Sequence, residues 1–161
     1  MKYLLDANVL IEAKNRHYGF EICPGFWTWI EKTHAAGAIH SVARVGEELR
    51  AGDDRLAEWA KEQPELFVAA EEPTVAALRE VAAWAEQSGY RPAAISQFLA
   101  GADAELVAYS IAKQLTVVTH EIASDDVKRI KIPNACKQFG VAYCDPFAML
   151  DTEGARFVLD H

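Results

Sequence analysis

Tyr3-Leu4-Leu5-Asp6-Ala7-Asn8-Val9-Leu10-Ile11-Glu12 opens the chain with a short apolar run, a carboxylate, and a helix-compatible segment that begins at once. In a parallel α/β fold such a junction is the carboxyl end of a strand, where loops from neighbouring strands converge and ligands bind. A lone Asp at such a place is most often a helix cap. The deciding question is whether later segments bring more acid to the same edge.

Outward from this stretch, residues 7–16 read as a helix with Val9, Leu10 and Ala13 inward. Gly19 and Pro24-Gly25 punctuate a loop. Phe26, Trp27, Ile30 and His34 then recur at helical spacing up to Gly37, a C-cap residue. Trp27 and Trp29, in so apolar a helix, read as core and not as a base-stacking platform. Ala38-Ile39-His40 is the second strand, and Ser41 is the N-cap of a helix over residues 42–50 with Val45 and Leu49 on one face. Glu48 lies near that face, although the Glu47-Glu48 pair also reads as solvated surface. Beyond Gly52-Asp53 a helix from about Asp54 turns Leu56, Trp59 and Ala60 inward and ends at Pro64. Leu66-Phe67-Val68 is an edge strand or a packed connector. Pro73 leads into a stripe of Val75, Leu78, Val81, Ala82 and Trp84-Ala85, closed by Ser88-Gly89. Residues 90–101 show no firm period and read as a packed loop.

The next helix carries Asp103 in its first turn, with Leu106, Val107, Ser110 and Ile111 inward. Thr116-Val117-Val118 follows, a β-branched run without polar alternation, as expected of a strand buried on both faces. It ends in Thr119-His120-Glu121, the second strand to be followed at once by a carboxylate. Ile132-Pro133-Asn134-Ala135-Cys136 leads a short helix to Phe139-Gly140. Val141-Ala142-Tyr143-Cys144 is a last strand, and Asp145-Pro146 supplies the N-cap and first residue of a final helix. This alternation predicts an α/β fold: a central parallel sheet of about four to five strands with helices on both faces.

With 161 residues, half of them hydrophobic, the chain has enough material for one well-filled domain, 1–161. No segment approaches the ~18–20 apolar residues that cross a bilayer. Asp6 and Asn8 interrupt the N-terminal run too early for a signal peptide, so the expectation is a soluble cytoplasmic protein with no membrane partner. Cys23, Cys136 and Cys144 form no C-x-x-C pair and read as reduced thiols; the five histidines form no H-x-x-x-H zinc pattern. A net charge of −8 argues against coating nucleic acid with a basic surface. It leaves open an enzyme that reaches nucleic acid through metal ions.

Four carboxylates have compatible positions: Asp6 and Glu121 after strands, Glu48 on a helix after a strand, and Asp103 at a helix start. If the strands are parallel neighbours, these acids meet at one sheet edge and repel one another. A hard divalent cation relieves that repulsion. Mg²⁺ and Mn²⁺ favour oxygen ligands and keep waters that a phosphate can replace. The chemistry this suits is phosphodiester hydrolysis. Two assignments have competitors, Glu47 for Glu48 and Glu105 for Asp103. The basic candidates for substrate contact are Lys14 and Arg16 on the first helix and the Lys128, Arg129 and Lys131 cluster, which also reads as an ordinary solvated loop.

Leu4-Leu5-Asp6-Ala7-Asn8-Val9-Leu10, Val45-x-x-Glu48-Leu49, Ala102-Asp103 and Val117-Val118-Thr119-His120-Glu121 together resemble the ordered motifs of PIN domains, the superfamily that includes VapC-type toxin ribonucleases. The Lys131-Ile132-Pro133-Asn134-x-Cys136 segment adds a resemblance to an uncharacterised PIN-like bacterial branch. The likeness runs from Tyr3 to about Leu150; Val45-x-x-Glu48 is its least specific part. It implies a Mg²⁺- or Mn²⁺-dependent endoribonuclease acting on RNA, an antitoxin partner and a homodimer. It assigns metal-ligand roles to Asp6, Glu48, Asp103 and Glu121, places the Thr119 hydroxyl near the metal shell, and makes Asn8 a support for Asp6. Glu121 departs from the pattern, since most PIN domains have Asp there; the longer side chain puts direct ligation in question. Two alternatives stand beside the toxin reading: an RNA-processing nuclease without an antitoxin, and a catalytically silent PIN-like interaction module.

Overall fold

Tyr3, Leu4 and Leu5 are all buried and form β1 (Tyr3–Leu5), the middle strand of the sheet. The computed structural model describes residues 1–159 and shows β1 followed at once by α1 (Ala7–Glu12), which runs on as a π-helical turn over Ala13–His17. Of the five histidines, His161 lies outside the described residues. Val9, Leu10 and Ala13 face the core as their spacing requires.

Helix α2 (Pro24–Ala35) packs on β2 (Ile39–Val42), and Gly37 takes the left-handed conformation (φ +88°) that turns the chain between them. Ser41 is not a helix cap. It lies inside β2, which pairing with β3 (Phe67–Val68) extends by two residues, Ser41 opposite Phe67 and Val42 opposite Val68. Its hydroxyl donates to the Leu5 carbonyl of the neighbouring strand, so it is spent on the sheet. Helix α3 (Ala43–Arg50) therefore starts after Val42 without a side-chain cap. Helix α4 (Arg55–Glu62) is capped by Asp54, whose carboxylate accepts from the Ala57 amide.

Helix α5 (Glu72–Gln87) buries Thr74, Ala77, Val81 and Ala85, a stripe shifted from the one its largest apolar residues mark. It packs along α7 (Ala102–Lys113), and small side chains permit that close approach, which leaves Leu78 and Trp84 half-buried and Val75 exposed. Residues 90–101 are not a loop: Pro92–Ala100 forms α6, with Ala94 and Phe98 buried. Two inward residues four apart are too few to show a period in nine, although Pro92 at the first position was a usable signal. The chain closes with β4 (Thr116–Val118), α8 (Ile132–Phe139), β5 (Tyr143–Cys144) and α9 (Pro146–Thr152), the last capped by Asp145.

The sheet order is β3-β2-β1-β4-β5, and every pairing is parallel. Parallel crossovers are right-handed. Growth from β1 to β3 therefore lays helices on one face, and the return to β4 and β5 lays them on the other. The two directions part between β1 and β4, whose registers align Leu5 with Val118. Among the described residues no helix is long and apolar enough to cross a membrane.

Candidate active site

The carboxyl ends of β1 and β4 lie side by side at this switch point, where open α/β sheets bind ligands. The Asp6 amide donates to the Val118 carbonyl (2.9 Å), which carries the pairing up to the acid itself. Asp6 occupies the N-cap position of α1, yet its carboxylate makes no capping bond. Instead the Thr119 hydroxyl, 1% exposed, donates to Asp6 Oδ2 at 2.8 Å and accepts from the Glu121 amide at 3.1 Å. One buried hydroxyl thus orients the acid of β1 and the turn that follows β4.

Burial pushes the Asp6 carboxyl up to about 6, with the Glu121 and Glu48 charges adding to it and the Thr119 hydroxyl and Ala7 amide opposing. Asp103, in the first turn of α7, is pushed up to about 7. Burial is the main cause and the Asp6 and Glu121 charges come next; Arg129 opposes, and Glu48 adds a smaller share. Asp103 therefore feels Asp6, Glu121 and Glu48, and Asp6 feels Glu121 and Glu48, at this sheet edge. Their neighbours sit elsewhere: Glu105 is buried against Arg44 (3.4 Å), and the charge it feels besides Arg44 is that of Glu47.

The four acids are not equally free. Glu48 is exposed on α3. Glu121 is nearly buried and engaged: Oε1 accepts from the Ile132 amide at the start of α8 (2.8 Å), and Oε2 lies 3.8 Å from the Arg129 guanidinium. Among the described residues no three His, Cys, Asp or Glu side chains are drawn around one point as a preformed metal site. The donor chemistry nonetheless fits a hard divalent cation. It consists of carboxylate oxygens, two of them raised by burial and by mutual repulsion that such a cation relieves.

The remaining candidates are scattered. Asn8 is exposed, with no hydrogen bond to Asp6. Lys14 is bound to Asp54 (2.6 Å) and Arg16 to Glu12 (3.2 Å), so both cations of the first helix are paired. Lys128 is exposed and Lys131 half-buried, while Arg129 is the member of that cluster held against the acids. Beside Thr119 and Glu121 opens a cavity of about 410 Å³ walled by His120, Tyr143 and Phe147. Phe147 is half-exposed and meets His17 edge-on at 5.1 Å. Sequence reasoning missed this wall, because His120, Tyr143 and Phe147 come from a loop, a strand and a helix that only the fold brings together.

The family model of a domain of unknown function (DUF4411) matches residues 3–157. No curated protein matches the chain in sequence. Among solved structures it resembles VapBC2 from Rickettsia felis bound to a DNA fragment from their promoter, at 16% identity and a TM-score of 0.54, over 90% of this chain and 98% of that one. FitAcB from Neisseria gonorrhoeae aligns at 20% identity with the same score and the same coverage. FitAB bound to the IR36 DNA fragment aligns at 17% identity and 0.54, over 99% and 98% of the two chains. At such identities the likeness is one of fold, and the fold is that of a PIN domain.

Proposed function

The chain belongs to the DUF4411 family and has a PIN-domain fold, and from that premise we propose that it is a Mg²⁺- or Mn²⁺-dependent endoribonuclease, the toxin of a toxin–antitoxin pair. What supports this reading is that Asp6 and Asp103, beside the β1–β4 switch point, are raised to about 6 and 7 by burial and by the nearby charges of Glu121 and Glu48. Asp6 and Asp103 would hold the cation, with Glu48 reaching in from α3 and Glu121 joining through Oε2 or a water. Bound there, the cation supplies phosphate polarisation and a water acidic enough to attack near neutral pH.

The chain's own groups do the rest. Thr119 holds Asp6 Oδ2 in place through its hydroxyl and so fixes which oxygen faces the edge. Burial of Asp6 keeps competing water away from its carboxylate, and the half-buried Asp103 beside it strengthens the hold on a positive charge. Arg129, beside Glu121, is positioned to meet a substrate phosphate. The two-component names of the fold's neighbours, VapBC2 and FitAB, each bound to DNA, support a protein partner. This chain's net charge of −8 makes it a poor DNA surface, so any promoter binding would belong to that partner.

The test is cleavage of a mixed RNA pool by wild type with Mn²⁺, by wild type with EDTA, and by two variants. Cleavage is expected only with Mn²⁺. Asp6→Asn should lose all measurable turnover, whereas Glu121→Gln, whose amide oxygen can still accept from Ile132, should keep activity within about 10–100-fold. Metal-independent cleavage, or an active Asp6→Asn protein, would overturn the assignment.

A further inference from the structure

The Lys131-Ile132-Pro133-Asn134-x-Cys136 segment supplies no carboxylate to the cluster, yet the structure ties it there through the Ile132 amide and the loop at residues 121–131. This loop contains no helix or strand. It is pinned in order along its length. The Glu121 amide donates to Thr119 Oγ1, and the Val127 carbonyl accepts from the Arg91 amide (3.0 Å). The Ile130 side chain is buried, and the Ile132 amide closes the loop onto Glu121 Oε1. Near its start, Ser124 is held by Asn134 of α8. Its Oδ1 accepts from the Ser124 amide (3.0 Å) and its Nδ2 donates to the Ser124 carbonyl (2.9 Å). A single side chain thus replaces, in both directions, the backbone pairing that Ser124 lacks. Ser124 Oγ in turn accepts from the Asp126 amide, and the Asp126 carboxylate accepts from the Lys128 amide. Order therefore passes from Asn134 to the residue next to Arg129.

We infer that Asn134 is a positioning residue: by clamping Ser124 it fixes the loop that holds the Arg129 guanidinium against the acidic edge, where that guanidinium contacts a phosphate of single-stranded RNA. The inference rests on the nuclease reading. It explains why an amide stands at this position, since a carboxamide carries an acceptor and a donor on separate atoms and so serves the N–H and the C=O of one residue at once. It also separates Arg129 from Lys128 and Lys131, which carry charge on the same loop without an acid at the site to aim them.

The test is a double-mutant cycle on RNA binding. A mixed-sequence single-stranded RNA is titrated in EDTA, where the proposed reaction is off, over a range of salt. Arg129→Ala should weaken binding about tenfold at low salt and reduce the salt slope by about 0.7, the share of one single-strand phosphate. Asn134→Ala should do the same without touching a charge, and the double variant should be no worse than Arg129→Ala alone. A residue that merely supports the fold would leave the slope unmoved. Ser124→Pro removes the amide from the loop side, leaves α8 intact, and should reproduce the effect should Asn134→Ala not fold. Lys61→Ala, on α4, removes a charge outside the loop and should change nothing. Wild type that binds RNA while Asn134→Ala and Ser124→Pro keep its affinity and slope, or losses that multiply in the double variant, would overturn the positioning role alone. Wild type that binds RNA in Mn²⁺ but not in EDTA would overturn the Arg129 contact alone; wild type that binds RNA in neither would overturn the nuclease reading, and this proposal with it.

Discussion

Asp103 stands in the first turn of α7 with three other acids around it and one guanidinium opposing them, and its carboxyl is pushed up to about 7. A folded-state value above the ordinary 3.8 means that the folded protein binds this proton more tightly than the unfolded chain does. The associated stability is complete below pH ~4 and is lost as pH rises through about 7; Asp6 adds the same loss over a window that closes near 6. The metal-free protein should therefore be less stable at about pH 8 than at about pH 5, by on the order of a few kcal/mol. Asp103→Asn should flatten much of that difference. Thermal melts in EDTA across this range measure it, and a wild-type profile that rises towards pH 8 would contradict the clustering of the acids. Asp6 was legible from sequence because an apolar strand ends on it. The ambiguity between Glu48 and Glu47, or Asp103 and Glu105, was not resolvable there, since adjacent helix positions point only about 100° apart and the direction of the sheet edge was unknown.

At the level of elements, α3 carries Glu48, proposed to reach the cation, and the helix's place depends on a glycine. A Cβ on Gly46 would sit 2.7 Å from Phe67 Cγ of β3 and 2.8 Å from an Arg50 guanidinium nitrogen. The arginine end can move, but the Phe67 ring is buried and cannot readily do so. Gly46→Ala should cost about 1–3 kcal/mol in urea denaturation by overpacking, more than any gain in helix propensity returns. It should also weaken Mn²⁺ binding by lifting α3, and Glu48 with it, away from β3. An unchanged urea midpoint would show that α3 is free to slide. Nothing in the local sequence marks Gly46, since a glycine in a helix reads only as a weak point. Helix α6 was missed for a related reason: its inward residues, Ala94 and Phe98, are chosen by what packs on them.

Across the whole molecule, the β3-β2-β1-β4-β5 order turns two separate strand ends into one site. A cation bound only by the folded state stabilises it by mass action, about 2.7 kcal/mol at a hundredfold excess over Kd. For a chain of this size that corresponds to a rise in Tm of about 5–10 °C. Mn²⁺ should produce it in wild type, and Asp103→Asn should reduce it; a wild-type Tm unmoved by millimolar Mn²⁺ would count heavily against the metal reading. The alternation of buried runs and amphipathic helices determined by itself that the fold is α/β with parallel strands, because a strand covered on both faces has no place for polar alternation. It also determined that acids follow β1 and β4. The tertiary structure decided what those acids can do. It placed β1 beside β4, spent Glu121 on the start of α8, paired Lys14 with Asp54, and set Asn134 on Ser124. Each of these is a contact between residues 10 or more positions apart, up to 113 between Asp6 and Thr119. Propensity and periodicity act only over a few residues, so partners at that distance are chosen by which segments pack, a choice that belongs to the folded chain.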